Sequence, residues 1–151
     1  MVKSMVKFGY ADSKLLLKNK RAVQTFVSDL IMQEVGLPCI LQYVFCSDDF
    51  LLQINQSYLK HNDFTDIITF DLSVDSSMLI EGEIYISTDR VLENAAELDI
   101  QFEMEMLRVI FHGALHLCGF RDKTKGEKST MRHKEDYYLH LYASRVSRGT
   151  S

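Results

Sequence analysis

Apolar and polar residues alternate along this chain in two rhythms, and the switch between them divides it into elements. Val2 to Tyr10 reads as a first strand. From Asn19 to Glu34, Val23, Phe26, Val27, Leu30 and Ile31 recur at helical spacing, and Gly36 and Pro38 close the helix they predict. Cys39 to Cys46 (CILQYVFC) alternates in part and is rich in strand formers. Ser47-Asp48-Asp49 then has the composition of an N-cap opening a helix through Tyr58. Thr65 to Leu72 (TDIITFDL) and Glu83 to Ser87 (EIYIS) predict two further strands, neighbours across a polar stretch around Asp75 to Ser77.

The second half is helical. Asp89 to Leu98 predicts a short helix capped by Ser87 or Thr88. Phe102 to Cys118 predicts a longer one with Met106, Val109, Ile110, Ala114 and Leu117 apolar, ended by Gly119 as its C-cap. Lys128 to Val146 predicts a last helix with Met131, Tyr138, Leu139 and Tyr142 inward. This order implies an α/β (α+β) domain with a small mixed sheet of about four strands and about five helices. Strand order does not follow from it. Residues 1–147 are expected to form one domain, and the polar end from Ser147 to Ser151 a frayed tail.

Composition narrows the class. A chain of 151 residues with 46% apolar positions can build one core but not two comfortable ones. The net charge of −4 argues against nonspecific coating of nucleic acid, which needs many cations to displace counterions. Charge is nevertheless concentrated: Arg121, Lys123, Lys125, Lys128, Arg132 and Lys134 stand against only Asp122 and Glu127. That stretch is either a phosphate-facing patch or a solvated face. Cys39, Cys46 and Cys118 are odd in number and sit in apolar contexts, unlike a secreted disulfide scaffold, so a reducing cytoplasm is expected. No apolar run long enough for a signal peptide or membrane span is read.

The chemistry is expected between Phe111 and Asp122 (FHGALHLCGFRD). His112 and His116 are four residues apart, so a helix sets both imidazoles on one face within reach of a single ion. Two histidines at this spacing are also a common accident, but this helix is almost wholly apolar, and buried imidazoles need partners. Gly119 lets the chain turn back, so Asp122 can return a carboxylate toward the same ion; alternatively Asp122 caps the turn and water fills the third position. Three protein ligands with an open fourth position is the arrangement of catalytic zinc. In the zinc-protease pattern HExxH a glutamate follows the first histidine; here Gly113 stands there and a peptidase is disfavoured. Cys118, two residues past His116, points to another helix face and is read as core.

HGALHLCGF with its acidic turn resembles the HGxLHLxGYDH signature of the YbeY family of rRNA-maturation endoribonucleases. Ile54-Asn55-Gln56-Ser57-Tyr58 with Thr65-Asp66-Ile67-Ile68-Thr69-Phe70 is similar to that family's LNxxY and TDVLSF blocks, and Gly82-Glu83-Ile84-Tyr85-Ile86-Ser87 to its GDIxIS strand. The resemblance spans roughly Leu41 to Phe120. It implies a small α/β domain, one zinc ion held by three histidines, and a cytoplasmic enzyme cutting single-stranded RNA in 16S rRNA 3′-end maturation and ribosome quality control. Its partners would be rRNA, the ribosome or ribosomal proteins, with no membrane.

Two ligands carry over as His112 and His116, and the third family histidine falls on Asp122, which makes the site more anionic. The family arginine after the Asn-x-x-Tyr unit falls on Leu59, so phosphate contact is expected from Lys60, His61, Arg121 or Lys123, or elsewhere in the basic stretch. Asp66 with Thr65 and Thr69 are expected near the cleft, and Tyr58, Phe64 and Phe120 are possible stacking surfaces for bases. The competing reading is a ribosome-assembly factor with a mainly structural metal and little cleavage.

Overall fold

The computed structural model describes residues 2–14, 17–60 and 64–149. The chain runs β1 (Met5–Tyr10), α1 (Lys20–Val35), β2 (Cys39–Cys46), α2 (Asp48–Tyr58), β3 (Ile67–Asp71), β4 (Ile80–Ser87), α3 (Thr88–Leu98), α4 (Phe102–Leu117) and α5 (Lys125–Gly149). Four strands and five helices among the described residues match the expected fold class. The sheet order is β1-β2-β4-β3, with β1, β2 and β4 parallel and β3 antiparallel to β4.

Local chemistry sets most boundaries. Ser47 and Ser87 each follow a strand and accept a hydrogen bond from the N–H three residues on, at Phe50 and Arg90, which starts α2 and α3 where the chain leaves the sheet. α4 ends on Cys118, and Gly119 at φ 106° takes the left-handed turn that would strain any side chain. β1 and β3 are shorter than expected, while β4 starts three residues earlier, pairing Ile80 with Cys39 in the parallel register.

α5 departs most from expectation, at both ends. It begins at Lys125 because Thr124 and Glu127 form a reciprocal cap: the Glu127 N–H donates to Thr124 Oγ1 at 3.1 Å and the Thr124 N–H to Glu127 Oε1 at 2.9 Å. At the other end Ser147 to Gly149, read as frayed tail, continue the helix.

The main core lies on one face of the sheet, where Leu41, Tyr43, Phe45, Ile84 and Ile86 meet α1, α4 and α5. Phe26, Phe111 and Tyr142 form an aromatic cluster across those three helices. Met131, Tyr138, Leu139 and Tyr142 of α5 are all buried, as their spacing predicts. On the opposite face α2 covers a smaller cluster of Cys46, Leu51 and Ile68. No helix among the described residues is long and apolar enough to cross a membrane.

Gly113 is what lets α4 lie so close to the sheet. A Cβ there would stand 3.0 Å from both Ile67 Cδ1 and Ile84 Cγ2, so a larger residue would push the helix off β3 and β4. The position where a zinc protease carries its glutamate therefore faces packed side chains.

Candidate active site

One cleft of about 900 Å³ gathers the polar chemistry of the molecule. Its floor is α4, where Glu105, Arg108, His112 and His116 stand three or four residues apart and so share a face. Thr65, Asp66, Ile67 and Thr69 supply one wall, with Asn55 and Leu59 of α2 beside them. Asp122, Lys123, Lys128, Met131, Arg132 and Glu135 supply the other.

His112 is at the centre. Its Nε2 lies 3.2 Å from Asp122 Oδ2, and its Nδ1 lies 2.7 Å from Glu135 Oε2. Burial opposes a charge on this imidazole, but the Glu135 and Asp122 carboxylates outweigh it and hold its pKa above the ordinary histidine value. The reversal at Gly119 thus brings Asp122 back onto His112. His116 lines the same cleft one turn on, but it is exposed rather than buried as its apolar neighbours suggested. It stands in the last turn of α4, where the helix runs out at the cleft mouth.

Two other carboxyls are less comfortable. Asp66 accepts from Asn94 Nδ2 at 3.2 Å, and burial pushes its pKa up, an effect only partly offset by His112. Glu105 is buried, its Oε1 lacks a hydrogen-bond partner, and the nearest guanidinium nitrogen, Arg108 Nε, is 4.0 Å away. Burial pushes its pKa up as well.

Donor chemistry fits a transition metal: two imidazoles and a carboxylate are ordinary zinc ligands, and Glu135 behind His112 is the partner that a metal-bound histidine usually has. Closure is not preformed, however. Among the described residues no three histidine, cysteine, aspartate or glutamate groups converge as a ready cage.

Of the residues expected to contact substrate, Lys123 alone among the described ones is placed on the cleft. Lys60 is exposed in a left-handed turn after α2, Arg121 is exposed and does not line the cleft, and His61 lies outside the described residues. Leu59, standing where the resemblance expects an arginine, does line it, and the cations facing the cavity are Arg108, Lys123, Lys128 and Arg132. Tyr58, Phe64 and Phe120 do not line it. Cys118 packs against the main core, and burial pushes its thiol up to about 12.

Arg108, Glu105 and Glu135 escaped the sequence reading. Arg108 was within reach of it, since it precedes His112 by one helical turn. Glu135 was not: the helix that carries it is legible from its spacing, but the packing of that helix against α4 is not.

The fold and this cleft define a small α/β protein with its polar chemistry gathered along one helix and the turn after it. The sequence profile of the endoribonuclease YbeY family matches residues 10–143. An endoribonuclease YbeY of Flavobacterium psychrophilum is 41% identical over 138 residues, covering 91% of this chain and 96% of that protein. One from Cytophaga hutchinsonii is 41% identical over 141 residues, covering 93% and 98%. A solution structure from Thermotoga maritima superposes with a TM-score of 0.66 at 24% identity, covering 97% of this chain and 94% of that one, and so shares the fold. The chain belongs to the endoribonuclease YbeY family, and its enzyme class is endoribonuclease.

Proposed function

We propose that this cleft cuts single-stranded RNA during 16S rRNA 3′-end maturation and ribosome quality control in the cytoplasm, with His112, His116 and Asp122 holding one zinc ion. The observation that carries the reading is the contact of His112 Nε2 with Asp122 Oδ2 at 3.2 Å, in a cleft that His116 also lines. A zinc ion there would supply Lewis acidity and a water easier to deprotonate.

The protein's own residues do the rest. Lys123, Lys128 and Arg132, on one wall, hold the phosphates beside the scissile bond. Leu59, exposed on the cleft, offers apolar surface to an unstacked base. Glu105 and Asp66 deepen the negative side of the cleft, which sets the chain's anionic backbone toward the basic wall.

A second reading draws on Leu59, which brings no charge to the wall where the family resemblance expects an arginine. It is an assembly factor that binds rRNA or a ribosomal protein and cuts weakly. One assay separates the two: RNA with a single-stranded 3′ extension, incubated with chelated and zinc-supplemented protein whose metal content is measured. The first reading expects zinc-dependent cuts, with both zinc and cleavage lost in Asp122→Ala. Bound zinc without cuts favours the second, and an Asp122→Ala variant that keeps zinc and cleavage overturns the ligand assignment. Lys128→Ala and Arg132→Ala should each weaken RNA binding and lower its salt slope by about 0.7, the value of one single-strand phosphate contact. Arg121→Ala should leave the slope unchanged.

A further inference from the structure

Glu135 is a carboxylate at 5% exposure, enclosed between α4 and α5. Removing a charged group from water is costly unless it is paired and hydrogen-bonded, and both of its oxygens are engaged. Oε2 meets His112 Nδ1 at 2.7 Å, while Oε1 accepts from Arg108 Nη1 at 3.0 Å, with Arg132 Nη1 farther off at 3.7 Å. The other terminal nitrogen of Arg108 reaches Asp136 at 2.9 Å. Arg108 and His112 are one turn apart on α4, and Glu135 and Asp136 are adjacent on α5. One turn of each helix is therefore locked onto the other by a guanidinium fork and an imidazole.

We propose that Glu135 is a positioning residue for His112, holding the ring by Nδ1 so that Nε2 faces Asp122 and the cleft, and that Arg108 in turn fixes Glu135. The inference rests on the reading of His112 as a site residue. A carboxylate only accepts, so this contact requires a proton on Nδ1 whether the ring is neutral or charged, and in the neutral ring it leaves Nε2 as the lone-pair atom. The ring then keeps its Nε2 on the cleft side in both states. Among the described residues the polar partners of the ring are Glu135 at Nδ1 and Asp122 at Nε2, and Asp122 lies on the cleft side.

The test is an imidazole ¹H–¹⁵N correlation spectrum of the metal-free protein, followed by zinc titration against a competing chelator. The wild type should show a slowly exchanging His112 Nδ1–H. Glu135→Ala should lose that signal and bind zinc 10–100-fold more weakly, the usual cost of deleting a metal ligand's orienting partner. Glu135→Gln, whose amide oxygen still accepts, should restore the signal and much of the affinity. Arg108→Met should keep the signal and lose less affinity than Glu135→Ala. A folded Glu135→Ala protein with the Nδ1–H signal and zinc affinity intact overturns the proposal. So does a Glu135→Gln protein that loses both. If the wild type binds no zinc, the metal reading fails, and the Nδ1–H signal still decides the role of Glu135.

Discussion

Along α4 the residues that meet the sheet and neighbouring helices, Ile110, Phe111, Gly113 and Leu117, are buried and apolar, while one side of the same helix carries Glu105, Arg108, His112 and His116 into the cleft. The packed side is governed by volume. Phe111 is fully enclosed by Phe26 and Tyr142, and Gly113 has no room for a further methyl. The cleft side is governed by pairing: its charges are satisfied across space by Asp122, Glu135 and Asp136, or remain unsatisfied, as at Glu105 Oε1. A single helix thus serves two demands because its 3.6-residue period keeps them on separate faces. Stability should be concentrated on one face and chemistry on the other.

Phe111→Ala should give the largest stability loss, about 3–5 kcal/mol, because it leaves a cavity among three helices. Denaturant unfolding measures it, and a loss below about 1 kcal/mol would break the division between the faces. Gly113→Val should come next, at about 1–3 kcal/mol, since its branches must displace Ile67 and Ile84. The same unfolding experiment checks it, and RNA cleavage by the folded fraction should fall as well, because the shift carries His112 with it.

Glu105→Gln should have the smallest effect on stability and the opposite sign at neutral pH. Burial raises the pKa of Glu105 in the folded protein above its unfolded value, so ionising it costs folding free energy. Its penalty is absent below the unfolded pKa, grows as pH rises through the folded pKa, and is fully present above it. The variant should therefore match the wild type near pH 4 and be slightly more stable at pH 7.5. Unfolding measured across that range tests the sign, and a loss at pH 7.5 as large as that of Gly113→Val would show that the cleft face carries packing stability after all.

Much of this was legible without coordinates because it is local. The cap at Ser47, the turn at Gly119, the buried face of α5 and the facing pair His112 and His116 all depend on residues within about one helical turn of each other, which spacing reveals, and it narrowed the cap of α3 to Ser87 or Thr88, of which the structure uses Ser87. The reciprocal cap of Thr124 and Glu127 was equally local, and reading it would have placed the start of α5 correctly. Fold class followed from the order of such elements. What only the tertiary structure decided depends on chain reversal: the placement of β4 between β2 and β3, the choice of Lys123, Lys128 and Arg132 over Arg121 as cations facing the cleft, and the exposure of His116. Glu135 meets His112 across 23 residues and Arg108 across 27, because the turn after α4 folds α5 back against it. Helical periodicity shows which side of each helix is apolar, but the pairing of one helix's polar edge with another's is settled by how the two pack, and no local spacing encodes it.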